Sequence, residues 1–229
     1  MIVNNEGKRL LIIEDDQEIS RLLSVIFSKL GMDSVVAYSG TEGLLQLQNH
    51  TYDLILLDLM LPGKSGEELI KEIRKESDIP IIVISAKADV ESKVHVLKMG
   101  ADDYMTKPFN HEEVMARVEV QLRKSSSHSS RTSEKIWRGL KINPDKFSAT
   151  LEGNELQLTN AEYDIISLLI SHPERAFSKR EMYERTWKRT YLGDDNTISV
   201  HVSNLRRKMA EITDDEYIRT IWGVGFMLI

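Results

Sequence analysis

Residues 1–124 predict an α/β fold, a five-stranded doubly wound parallel sheet, and residues 135–229 predict a winged helix-turn-helix domain. Three observations carry this. Strand-like apolar runs alternate with helical patterns in the first part, three helical segments closed by a hairpin fill the second, and a serine-rich stretch separates them.

The elements follow in order. "RLLIIE" is a continuous apolar run, as expected of a strand buried on both faces. A helix at 19–30, the strand "SVVAY" and a helix at 41–49 come next. "DLILLD", a helix at 66–75, "PIIVIS", a helix at 89–99, "DYMTK" and a helix at 110–123 complete five β/α units. "SSSHSSRTSE", residues 125–134, is too polar to join a core and is expected to be a linker. Residues 136–158 predict short strands with turns at "NPD" and "EGN". Helices at 160–171, 178–188 and 195–212 precede "YIRTIWGVGFMLI", two strands around a glycine-containing turn.

Composition narrows the function classes. The chain has 229 residues, 41% hydrophobic and 29% charged, as expected of a soluble globular protein. It shows neither a bilayer-spanning run nor the apolar core of a signal peptide, and with no cysteine it has no disulfide or thiolate metal site. A cytoplasmic location without membrane association is the expectation. Residues 1–124 hold 15 basic against 21 acidic residues, whereas the remainder holds 15 of each. Within that remainder, 175–208 carries nine basic and four acidic residues. An acidic half joined to one with a basic patch predicts two jobs in one chain.

"LLIIEDD" poses the chemical question, because an apolar run ends on Glu14, Asp15 and Asp16. Two carboxylates ~5 Å apart at an effective dielectric of ~20 repel by roughly 3 kcal/mol. A positive charge is therefore expected there, with Asp16 turned away to cap the next helix. In a parallel sheet, functional groups gather at the carboxyl ends of the strands. The third strand ends in Asp58, the fourth in Ser85 and the fifth in Lys107. Carboxylates with a carbonyl and waters suit a hard divalent cation such as Mg²⁺. With Lys107, such a pocket suits a dianionic phosphoryl group, with Asp58 as nucleophile and Ser85 as hydrogen-bond donor.

"EDD", the Asp58 that precedes "LMLPGKSG", "SAKAD" and "GADDYMTKPF" resemble a bacterial response-regulator receiver domain of the CheY-like kind. The resemblance implies that Asp58 takes a phosphoryl group from the histidine of a sensor kinase. It also implies direct Mg²⁺ ligation by Asp15, Asp58 and the Met60 carbonyl, with Glu14 acting through a water. Lys107 would pair with phosphoryl oxygens, and Lys107–Pro108 would be cis. Ser85 and Tyr104 stand at the family's switch positions, where Tyr104 turns inward as the Ser85 hydroxyl moves to the phosphoryl group.

"ISVHVSNLRRKM" and "IRTIWGVGF" resemble the winged-helix effector domain of the OmpR/PhoB family. That implies a transcription regulator that binds double-stranded DNA at direct repeats and dimerises on activation. In that family, dimers pair charges across one receiver face. Lys93–Glu113 and Asp103–Arg117 match the pattern, Lys98 and Glu119 have exchanged signs, and Asp102 belongs to the same face. "WKRTYLGDD" matches a loop that contacts RNA polymerase or DNA.

On a helical wheel, Ile198, Val202, Leu205, Met209 and Ile212 form the core face of the third effector helix. The opposite face is expected to present Asn196, Val200, Ser203, Asn204 and Arg207 to the major groove, with His201, Arg206 and Lys208 on its flanks. Val200 would touch a thymine methyl and Asn204 would read adenine, while the cations serve phosphates or bases. Arg219 is the hairpin's only cation, and Trp222 and Met227 stand where the family commonly has cations. Fewer cations predict a shallower salt dependence and more reliance on dimerisation.

Other readings fit less well. A haloacid-dehalogenase phosphatase needs a second Asp two residues after the nucleophile, where this chain has Met60. A nucleotide-binding protein needs a glycine-rich loop after the first strand, which is absent. A phosphorylation-independent dimerisation module would not need the intact acid set. The expectation is a regulator rather than an enzyme, with at most slow cleavage of its own acyl phosphate.

Overall fold

In the computed structural model, which describes residues 7–126, 134–144, 146–187 and 195–229, the chain divides into two compact units, within 1–127 and 128–229. The first unit alternates strands and helices as β1 (Arg9–Ile13), α1 (Gln17–Lys29), β2 (Asp33–Ala37), α2 (Gly40–Asn49) and β3 (Leu54–Leu57). It continues with α3 (Gly66–Ile73), β4 (Ile81–Ser85), α4 (Val90–Lys98), β5 (Asp103–Thr106) and α5 (His111–Ser126). The five strands are parallel in the order β2-β1-β3-β4-β5, the doubly wound sheet that the sequence predicts. β1, β3 and β4 run between neighbours, and all residues of β3 and β4 are buried. This explains their unbroken apolar sequences. Leu10, Ile12, Leu54, Leu56, Ile82 and Ile84 pack on Phe27 of α1 and Val114, Val118 and Leu122 of α5. Each such side chain contributes about 1.5–3 kcal/mol by leaving water.

Local signals set the helix starts. Asp16 caps α1 by accepting from the N–H groups of Glu18 and Ile19, so it does turn away from its two acidic neighbours. Ser65 and Glu68 form a capping box at α3. Gly66 is required there, since a Cβ would lie 2.4 Å from the Asp58 carbonyl oxygen. α5 runs on to Ser126, two residues into the expected linker, and most of the rest of that linker lies outside the described residues.

The second unit opens with an antiparallel sheet of β6 (Lys135–Trp137), β7 (Leu140–Asn143), β8 (Ser148–Leu151) and β9 (Asn154–Leu156). Then come α6 (Asn160–Ile170), β10 (Phe177–Ser178), α7 (Lys179–Trp187), α8 (Asp195–Ala210), β11 (Ile218–Ile221) and β12 (Gly225–Leu228). The hairpin β11–β12 gains a third strand, β10, that the sequence did not signal. Two residues carry no periodicity, but Gly225 lets the backbones meet: a Cβ there would sit 2.1 Å from the Phe177 carbonyl oxygen. Trp137 Nε1 donates to the Ile229 carbonyl at 3.0 Å, tying the first sheet to the end of the chain. The loop expected to meet RNA polymerase falls at 188–194, outside the described residues. Among the described residues, no helix is long and apolar enough to cross a membrane.

Candidate functional site

Strand register assembles the acidic pocket. Ile13 pairs with Leu57, and Leu57 with Val83, so Glu14 and Asp58 leave neighbouring strands at one edge. Ser85 pairs with Thr106, which places Lys107 at the same edge. Backbone hydrogen bonds continue the pattern past the strand ends, from Asp58 N–H to the Ile13 carbonyl at 2.9 Å and from Lys107 N–H to the Ser85 carbonyl at 2.8 Å. The Lys107–Pro108 peptide is cis, as expected.

Lys107 supplies the positive charge that the sequence demanded. Its ammonium donates to Glu14 Oε1 and Oε2 at 2.8 and 2.7 Å and to Asp58 Oδ2 at 2.6 Å. Glu14 and Asp58 are buried, while Asp15 is exposed. Burial raises the Glu14 pKa, the Asp58 charge adds to this, and Lys107 opposes it. Burial alone would lower the Lys107 pKa, but the hydrogen bonds and charges of Asp58 and Glu14 raise it. Oxygens of Glu14, Asp15 and Asp58 lie within 4.8 Å of one another. Three hard oxygen donors at that spacing fit a divalent cation of the Mg²⁺ type.

Met60 donates its N–H to Asp58 Oδ1 at 3.0 Å and extends an exposed side chain beside the pocket. Ser85 is fully buried and accepts from Lys87 N–H at 3.4 Å. Tyr104 already points inward, where its hydroxyl donates to the Lys87 carbonyl. Burial raises its pKa, against hydrogen bonding from Ser85.

The charged face needs one correction. Asp102, expected at an interface, is fully buried. It accepts from Arg74 Nη2 at 2.9 Å and from Ile81 N–H at 3.0 Å, so it belongs to the fold of its own protomer. Arg117 pairs with Asp103 Oδ1 at 2.6 Å and Glu113 Oε1 at 2.5 Å within one chain, and Arg117 and Asp103 are themselves buried. Lys98 is exposed, whereas Lys93 and Glu119 are half-buried.

α8 departs further from its helical wheel. Asn196, Ser203 and Arg207 are exposed as expected. Val200, His201 and Asn204 are not: they are 5%, 1% and 5% exposed. The buried arc is wider than one heptad stripe because Thr197, His201 and Asn204 lie beside Ile198, Val202 and Leu205, and Trp187 of α7 closes on His201 with ring centroids 6.2 Å apart. Val200, His201 and Asn204 are therefore not the exposed DNA contacts that the sequence predicts.

Arg206 is spent on the hairpin. It donates to the Ile218 carbonyl and Thr220 Oγ1, both at 2.9 Å, and lies over the Phe226 ring. Lys208 donates to the Gln157 carbonyl at 2.6 Å and to buried Glu162 at 2.7 Å, bracing α8 against α6. Arg219 is exposed and pairs with Glu216 at 3.0 Å. Sequence reasoning also missed Arg74, Glu67 and Lys87. Their partners lie 20 or more residues away, beyond any periodic signal.

Comparisons with known proteins agree with this architecture. The family model "Response regulator receiver domain" matches residues 10–119, and "Transcriptional regulatory protein, C terminal" matches residues 153–228. The chain is 38% identical over 223 residues to an uncharacterized transcriptional regulatory protein, YcbL, of Bacillus subtilis, spanning 95% of this chain and 99% of that one. It is 35% identical over 220 residues to the response regulator ArlR of Staphylococcus saprophyticus, spanning 96% and 98%. Among solved structures, the response regulator DrrB of Thermotoga maritima, described as an OmpR/PhoB homolog, aligns at 26% identity. The alignment has a TM-score of 0.52 and covers 96% of this chain and 98% of that one.

Proposed function

Because the chain belongs to the OmpR/PhoB-type transcriptional response regulators of two-component systems, we propose that Asp58 is its phosphoacceptor and that phosphorylation promotes dimerisation and DNA binding. The observation that carries this reading is the Lys107 ammonium bridging Asp58 and Glu14 at the carboxyl edge of the sheet.

A carboxylate oxygen of Asp58 attacks the phosphorus of a phosphohistidine on the sensor kinase. The P–O bond forms as the P–N bond breaks, and the electron pair leaves with the imidazole nitrogen, which then takes a proton from solvent. Lys107, already bonded to Asp58, stabilises charge on the phosphoryl oxygens. Asp15, Asp58 and the Met60 carbonyl would hold Mg²⁺, supported by Glu14, and the ion supplies neutralisation of the phosphoryl charge. Ser85 donates to the phosphoryl group, and Tyr104, on β5, relays the change to the face of α4, β5 and α5. Slow hydrolysis of the acyl phosphate by water resets the protein.

Dimerisation would use the face of α4, β5 and α5. Arg117 holds Asp103 and Glu113 within one protomer, so pairing across two protomers exchanges partners, with Lys93 reaching Glu113 and Lys98 reaching Glu119. In the second unit, Asn196, Ser203 and Arg207 are the exposed groups of α8 that suit the major groove of repeated half-sites, with Arg219 at the hairpin. The segment 188–194 is the proposed contact for RNA polymerase. A regulator of this kind works in the cytoplasm.

Intact mass after incubation with acetyl phosphate tests the acceptor. A phosphoryl adduct is expected with Mg²⁺, and none without Mg²⁺ or in Asp58→Asn. An adduct that persists in Asp58→Asn, or no adduct from either acetyl phosphate or the cognate kinase, would overturn the assignment.

A further inference from the structure

Lys87, two residues past Ser85, makes three contacts that the proposed chemistry leaves unused. Its N–H donates to Ser85 Oγ at 3.4 Å, and its carbonyl accepts from the Tyr104 hydroxyl. Its ammonium pairs with Glu67 Oε1 at 3.2 Å, and both side chains are partly exposed. Glu67 lies in the first turn of α3, next to Gly66, which rests on the Asp58 carbonyl. This ion pair therefore joins the start of α3 to the segment that follows β4.

Charge indicates what the pair is for. Glu14 and Asp58 bond Lys107, an Asp15 oxygen lies within 4.8 Å of theirs, and a bound divalent cation brings this set to neutrality. A phosphoryl group carries a charge of about −2 in place of the single charge of Asp58, which leaves the site about one positive charge short. A partly exposed ion pair such as Lys87–Glu67, screened by water, is weak. A charge-assisted bond to phosphoryl oxygens in a sheltered pocket is stronger, so the lysine gains by leaving Glu67.

We propose that Lys87 is a second cation for the phosphoryl group: Glu67 holds its ammonium at the rim of the unmodified site, and phosphorylation draws it onto the phosphoryl oxygens. This rests on Asp58 being the phosphoacceptor. Tyr104 is bonded to the carbonyl of the same residue, so the exchange also pulls on β5 and the face that carries Asp103.

Beryllofluoride, which mimics a phosphoryl group on a carboxylate, is the probe. Its affinity for the full chain with Mg²⁺ can be followed by ¹⁹F NMR. Lys87→Met is expected to weaken binding about tenfold, the size of one charge-assisted hydrogen bond. Glu67→Gln, which frees the lysine, is expected to tighten it, and in the Lys87→Met background Glu67→Gln should have no effect. Lys87→Arg should retain most of the affinity. If the pair only braces the two segments, both single variants shift affinity in the same direction, and the proposal is overturned. If wild type binds no better than Asp58→Asn, the phosphoacceptor assignment fails and takes this proposal with it.

Discussion

The acidic pocket and helix α8 are both sites where a row of polar residues meets a core, yet only the pocket has the arrangement that its sequence implies. At the pocket, Glu14, Asp58 and Lys107 each follow the last residue of a parallel strand, Ser85 is the last residue of its own, and backbone register fixes their positions. On α8, the backbone fixes only an angle around the helix axis. Which arc stays exposed depends on what packs against it, and here Trp187 and the hairpin claim residues that a wheel leaves outside. Groups at a sheet edge are placed by topology, whereas groups on a helix flank are placed by their neighbours.

That contrast can be broken at several points. The largest expected effect is at Lys107, where Lys107→Met leaves two buried carboxylates without their cation. Acyl-phosphate formation should slow by about 10²–10³-fold in a rapid-quench assay, and a rate near wild type would remove Lys107 from the chemistry. Next comes Asp102→Ala, which strands Arg74 and the Ile81 N–H. It should cost about 3–5 kcal/mol in urea unfolding, whereas a residue that acts only at a dimer face would leave monomer stability nearly unchanged.

α8 offers a sharper pair. Val200→Ala should cost about 2 kcal/mol of stability if the side chain belongs to the core. An exposed base contact would stay within about 0.5 kcal/mol. Arg207→Ala should leave stability alone but reduce the salt slope of DNA binding by about 0.9, while Arg206→Ala should destabilise the unit and leave that slope unchanged. Matching slopes for the two variants would erase the distinction between a phosphate contact and a structural arginine.

The sequence makes the strand ends, Asp58, Lys107 and the capping role of Asp16 legible because each depends on local order and one sheet topology. Asp102 is not legible: its partner Arg74 is 28 residues away, and an acid beside Asp103 looks like any surface charge until the fold brings them together. β10 escapes notice for a related reason, since its pairing with β12 depends on Gly225 and not on any pattern within Phe177–Ser178. Arg206 and Lys208 look like DNA contacts because their charge is visible, while their acceptors are backbone carbonyls and distant side chains that no sequence pattern marks.

The central claim is that charge added at Asp58 is felt by the DNA-binding unit. Its most direct test is the affinity of the full chain for a duplex selected from a random pool. Fluorescence anisotropy would follow binding at fixed salt, before and after acetyl phosphate with Mg²⁺, for wild type and Asp58→Asn. Tighter binding by phosphorylated wild type, with no change in the variant, is the predicted result. Equal affinity of the phosphorylated and unmodified wild type would contradict it.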